Sequence, residues 1–175
     1  MKRGERGFTL IELLVAVSIM FLLSGAAGAV TFQTLKGAAR GNGYMSAVRQ
    51  VENAGHWISR DAQMADGIKT DGLTWPDFLI INWVERDYVH DEIYHSATYY
   101  FEDFSGSMGK LMRRHWSSNG ANDTALIAED IYYDAVHPNE TKAHYSSPVL
   151  TVKLTSIIGG KHETKEYKVV PRPNM

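Results

Sequence analysis

Glu12 lies inside an apolar run from Phe8 to Phe32 in which Thr9, Ser18, Ser24 and Thr31 are the other clearly polar side chains. No basic side chain stands within a helical turn of it. A carboxylate in mid-membrane costs about 2.5–3.5 kcal/mol even on a lenient insertion scale, so an acid kept there needs a counter-charge. A cut after Gly7 would create one, because the freed α-amine of Phe8 would be largely protonated at neutral pH. Phe8 and Glu12 are four residues apart, so one helix could pair them internally. A neighbouring helix displaced along a bundle could equally offer its own amine to this Glu12. At 4 Å and an effective dielectric of 20 the attraction is about 4 kcal/mol, above the insertion cost. Desolvation reduces that worth, but the pair could still set the register between subunits.

The surrounding chain supplies what such a pair needs. Residues 1–7, Met1-Lys2-Arg3-Gly4-Glu5-Arg6-Gly7, form a short basic leader. Residues 8–32 as a helix span about 37 Å at 1.5 Å per residue, more than the roughly 30 Å hydrocarbon core. Lys2, Arg3 and Arg6 place the N-terminus in the cytoplasm by the positive-inside rule, so everything after the segment is expected outside.

Gly7-Phe8-Thr9-Leu10-Ile11-Glu12-Leu13-Leu14-Val15-Ala16-Val17 resembles the prepilin-type cleavage and methylation motif of type IV pilins, type II secretion pseudopilins and competence pseudopilins. The resemblance implies that prepilin peptidase cuts between Gly7 and Phe8, that Phe8 becomes N-methylated, and that Glu12 neutralises a neighbour's N-terminus. It also implies other pilin or pseudopilin subunits and an inner-membrane assembly platform with its ATPase as partners, and the membrane as host before assembly. Val48-Arg49-Gln50-Val51-Glu52 and Trp57-Ile58-Ser59-Arg60-Asp61 are similar to the corresponding helix of J-type minor pseudopilins and PilW-like proteins. One departure is that the first proline is Pro76, whereas many major pilins kink the later part of the apolar helix with proline. Gly25 and Gly28 could soften it instead, and the missing proline favours a minor subunit.

Two plainer readings compete. An ordinary secretory signal could be cut after Ala27-Gly28-Ala29, yet Glu12 fits its apolar region poorly. An uncut anchor would leave the carboxylate without the amine. The rival function is an exported or membrane-anchored binding protein that uses the N-terminal segment only as signal or anchor.

Beyond the membrane segment, residues 33–66 read as a soft joint followed by an amphipathic helix. Gly37, Gly41 and Gly43 predict an irregular turn over Lys36–Gly43. From there Tyr44, Val48, Val51, Ile58, Ala62 and Ala65 recur at three-four spacing, with Arg49, Glu52, Asn53, Arg60 and Asp61 mostly facing elsewhere. Residues 67–175 read as an antiparallel, β-rich head. Phe78–Arg86 is apolar on both faces and suits an interior strand, Ile93–Glu102 should pair with it, and Lys110–Trp116 is a more exposed candidate. Tyr132–Tyr145 carries no clear pattern. Leu150, Val152 and Leu154 alternate with polar residues, Gly159-Gly160 follows, and Thr164–Val170 resumes the alternation. A two-residue turn at the glycines pairs Ile158 with Lys161, Val152 with Tyr167 and Lys153 with Glu166. The expected fold class is α+β and pilin-like: a long N-terminal helix packed on an antiparallel sheet.

Composition narrows the function. A formal net charge of -2 gives no footprint for nucleic acid. Loss of the leader takes three of the 18 basic and one of the 20 acidic residues, leaving 15 and 19 and a charge of -4. Cysteine is absent, which removes disulfides, thiolate metal sites, a catalytic thiol and a lipobox. His90, Asp91, Glu92 and His95 straddle an expected hairpin without ligand spacing, and Asp61, Asp66 and Asp71 make no calcium loop. Ser105-Gly106-Ser107-Met108-Gly109 lacks the nucleophile-elbow pattern and reads as a loop. Asn122-Asp123-Thr124 and Asn139-Glu140-Thr141 are sequons of little meaning in most bacteria, and Tyr99, Tyr100 and Phe101 read as packing residues. No catalytic residue, metal or cofactor is expected. The protein reads as a non-enzymatic fibre subunit, held in the cytoplasmic membrane by a single span and later part of an extracytoplasmic fibre.

Overall fold

The computed structural model describes residues 9–86, 91–134 and 140–171, with the backbone alone at 39 and 40. The chain divides into two units, Met1–Asn42 and Gly43–Met175. The layout is α+β: among the described residues a long helix, α1 (Leu10–Met64), precedes eight strands joined in one antiparallel sheet.

The described part of the first unit is α1 up to Asn42. Every side chain described from Thr9 to Ala38 is exposed, including Leu10, Ile11, Phe21, Leu22 and Leu35. The irregular turn expected over Lys36–Gly43 is not present, since α1 runs through it. Glycine weakens a helix by up to about 1 kcal/mol but keeps its amide, so the i→i−4 ladder continues where no proline interrupts it.

In the second unit the strands are β1 (Gly67–Lys69), β2 (Asp77–Arg86), β3 (Glu92–Ser105), β4 (Met108–Ser117), β5 (Asn122–Tyr132), β6 (Lys142–Ser146), β7 (Val149–Ile158) and β8 (Lys161–Val169). Their order is β1-β2-β3-β4-β5-β7-β6, and β8 pairs with β7. β2 is interior, between β1 and β3, as its doubly apolar sequence requires. β4 is interior too, between β3 and β5, and alternate residues are buried, which corrects its reading as a more exposed strand. Its charges misled the expectation, because Arg113 points into the core. The β7–β8 register places Ile158 opposite Lys161, Val152 opposite Tyr167 and Lys153 opposite Glu166, as expected. Gly159 and Gly160 have φ of 58° and 72°, the double positive φ that a two-residue hairpin of this kind demands.

Residues 43–64 of α1 lay one face on this sheet. Val51, Ala54, Ile58, Ala62 and Ala65, the last just past the helix, share one buried core with Leu79, Ile81, Tyr99, Leu111, Ile127 and Leu154, and Ala47 is buried too. Burying Ile58 alone contributes about 1.5–3 kcal/mol. Tyr44, expected on this stripe, is exposed, and Asp61, expected outside it, is fully buried. Small residues let helix and sheet approach closely: the Tyr167 ring fills the space where Gly55 lacks a Cβ, and its hydroxyl donates to Val51 O at 3.1 Å.

β5 was not expected, and its geometry shows why. Gly109 faces Ile131, Leu111 faces Ala128 and Met112 faces Leu126, so the register shifts twice, once around Asp130 at φ 53° and once at Ile127, and the broken alternation leaves both Ile127 and Ala128 buried. The helix takes up backbone groups there. Asn53 Nδ2 donates to Ile127 O at 2.6 Å, and Glu129 N donates to Gln50 Oε1 at 2.9 Å.

Candidate assembly site

Gly7 and Phe8, the residues expected to flank the cut, lie outside the described residues. Thr9 and Glu12 lie within them and are brought together. Thr9 N donates to Glu12 Oε2 at 2.9 Å and Thr9 Oγ1 donates to the same oxygen at 2.8 Å, while Glu12 N reaches Thr9 Oγ1 at 3.4 Å. This is a capping box, in which the residue before the helix and the one three later satisfy each other's amides. Thr9 enters the sequence analysis as a polar residue of the motif without a structural role, yet T-x-x-E before an apolar run is the signature that could have found it.

Three hydroxyls of this stretch of α1 are consumed locally. Ser18 Oγ donates to Leu14 O at 2.8 Å, Thr31 Oγ1 to Ala27 O at 2.9 Å and Thr34 Oγ1 to Val30 O at 2.9 Å. Such back-bonding hides hydroxyls from lipid at little cost. At the far end Lys36 Nζ sits 4.4 Å over the Phe32 ring, an arrangement suited to a membrane boundary. Glu12 is therefore the one charged side chain of Leu10–Leu35. Its Oε2 receives neutral donors, and among the described residues no cation faces it. An acid in that state can still accept a charged donor, such as an amine.

A second carboxylate, missed by the sequence reading, contrasts with it. Asp61 Oδ2 accepts Arg113 Nε at 2.7 Å and the Tyr99 hydroxyl at 2.7 Å, and Asp61 Oδ1 lies 3.3 Å from an Arg60 guanidinium nitrogen. Both guanidiniums lie over the Trp57 ring, Arg60 at 4.0 Å and Arg113 at 5.3 Å. Burial first, and then the Asp61 charge, push the Tyr99 phenol well above its ordinary range. This node joins α1 to β3 and β4 and is complete within the subunit.

The other residues weighed for chemistry are scattered. Asp66 Oδ2 accepts Val84 N at 2.7 Å, Asp71 lines a shallow cavity with Trp75 and Thr141, and Ser105–Met108 closes the β3–β4 hairpin. Tyr99 and Phe101 are core residues, while Tyr100 lies under the Arg114 guanidinium. Of the four residues His90, Asp91, Glu92 and His95, His90 lies outside the described residues, Glu92 accepts the Tyr94 hydroxyl, and His95 stacks on Trp83.

No curated protein and no solved structure matches the chain. The long apolar helix near the N-terminus points to membrane anchoring. Residues 2–28 match the family described as the prokaryotic N-terminal methylation motif, which marks this segment as a prepilin-peptidase substrate of the pilin type.

Proposed function

We propose that the chain is a structural, non-enzymatic subunit of a type IV pilus-like or type II secretion pseudopilus fibre, in a minor or tip position. Prepilin peptidase cuts it between Gly7 and Phe8 and methylates Phe8. An assembly platform in the inner membrane then moves the subunit from the bilayer, where its N-terminus faces the cytoplasm, into the fibre. There the Phe8 amine of a neighbour pairs with Glu12, and helix packing replaces lipid around the exposed apolar side chains.

One observation carries this reading: Glu12 is the lone charge of the Leu10–Leu35 stretch, whose apolar side chains are exposed, and among the described residues only neutral donors hold its carboxylate. Such a surface needs lipid or sister helices, and such an acid needs a cation. The methylation-motif match over residues 2–28 supports this reading, in which a cut before Phe8 creates that cation. The late first proline, Pro76, supports a minor over a major subunit.

N-terminal sequencing with intact-mass measurement of the protein purified from its native membrane tests the reading. The expected product begins with methylated phenylalanine at position 8. A chain that starts at Val30, or one that keeps Met1 and the leader, overturns it in favour of a plain signal or anchor.

A further inference from the structure

Four ionisable side chains on the helix-facing side of the sheet line up across four adjacent strands: Glu85 on β2, His95 on β3, His115 on β4 and Asp123 on β5. Glu85 Oε2 lies 3.3 Å from His95 Nε2, His95 Nδ1 lies 3.1 Å from His115 Nε2, and His115 Nδ1 lies 3.0 Å from Asp123 Oδ1. The two imidazoles are nearly coplanar, at 10°, and Trp83 lies parallel to both with centroids 5.1 and 5.5 Å away.

Counting protons shows what this row lacks. Carboxylates only accept, and a neutral imidazole brings one N–H. Two neutral imidazoles therefore bring two protons to three contacts. One contact stays empty, and His95 Nε2 is the buried nitrogen without a hydrogen bond among the described residues, although Glu85 is near. A third proton fills all three contacts at once, while a fourth would set two N–H groups against each other. Trp83 favours the single positive charge through its ring face.

A metal fits this gap poorly. The ring centroids are 5.3 Å apart and the facing nitrogens 3.1 Å apart, so the two lone pairs point at each other along one line. A metal on that line would need about 4 Å between the nitrogens, at 2.0–2.1 Å for each bond.

We propose that His95 and His115 take up one shared proton from water and that this proton closes a Glu85–His95–His115–Asp123 clasp across β2 to β5. The clasp is a pH-sensitive device in the head, separate from the assembly segment. Glu85 is the moving part: its side chain is 68% exposed and can swing onto His95 when Nε2 becomes a donor. Among the described residues, other charged groups near the row are engaged elsewhere, and Arg86 pairs with Glu92. Asp66 accepts Val84 N, Arg113 is held by Asp61, and Arg114 lies over Tyr100.

The test is a histidine-labelled NMR titration of the full chain in detergent micelles between about pH 8 and pH 5, where histidine changes charge. Signals of His95 and His115 are expected to move together, with a combined uptake of one proton, and a second proton is expected only in a separate, more acidic step. His115→Gln should abolish the joint step. Glu85→Gln, a surface change that keeps the fold, should move that step to lower pH. Independent uptake of one full proton by each ring in the same pH range overturns the clasp, as does no uptake or an unmoved step in Glu85→Gln. Displacement of the shared proton by one equivalent of Zn²⁺ overturns it in favour of a metal site.

Discussion

Two carboxylates in this chain sit on the same helix and live by opposite rules. Asp61, on the buried face of residues 43–64, has an arginine, a second arginine and a tyrosine around it, so its charge is fully matched inside the subunit. Glu12, in the first unit, is held by a single threonine and stands among exposed apolar side chains. A matched charge stabilises a fold, whereas an unmatched one on an apolar surface calls for a partner from outside it. The contrast separates what this protein does alone from what it can do only beside copies or relatives of itself.

Exchanging the defects breaks the comparison most sharply. Glu12→Ala should abolish incorporation into sheared fibres while processing and the thermal unfolding of the head stay unchanged. Asp61→Ala should cost about 3–5 kcal/mol of head stability, because it leaves the buried Arg113 guanidinium without its anion. Denaturant unfolding followed by tryptophan fluorescence reads the second, and immunoblot of the sheared fraction reads the first. The Asp61→Leu/Arg113→Met pair should be milder than Asp61→Ala, since neither charge is then stranded. Normal fibres from a processed Glu12→Ala protein would sink the pairing, and a loss below about 1 kcal/mol in Asp61→Ala would sink the buried node.

The sequence carried the two regions unequally. The assembly segment was legible because lipid demands a long uninterrupted apolar run, which makes one acid conspicuous. The β7–β8 hairpin was legible because Gly159-Gly160 and clean alternation fix the register together. Asp61 was not, because a charge on an amphipathic helix reads as solvated until its partner is known, and Arg113 lies 52 residues away. The same ignorance made β4 read as exposed. β5 was hidden by its bulge, which destroys the period-two signal that a strand otherwise gives.

A smaller effect compares glycines in the two regions. Glycine to alanine ordinarily strengthens a helix by up to about 1 kcal/mol. At Gly55 a Cβ would lie 2.0 Å from the Tyr167 ring, so Gly55→Ala should instead destabilise the head by about 1–3 kcal/mol through overpacking. Gly25 has nothing within 4 Å, and Gly25→Ala should leave head unfolding untouched. Equal midpoints for Gly55→Ala and the parent protein would mean that Tyr167 does not pack on the helix as described.

The smallest effect concerns how the Asp61 node responds to alkali. The Tyr99 phenol is raised above its ordinary value, by burial and then by the Asp61 charge, so the folded state holds this proton more tightly than the unfolded chain. Its contribution is therefore complete below about pH 10, where a free tyrosine still keeps its proton, and shrinks as pH climbs above that value. Tyr99→Phe should cost about 1 kcal/mol at neutral pH through the lost hydrogen bond to Asp61. It should also flatten the fall in stability between about pH 10 and pH 11.5, because the unfolded chain no longer gains by ionising this phenol. Parallel stability curves for the two proteins across that window would show that Tyr99 is not the alkaline-sensitive member of the node.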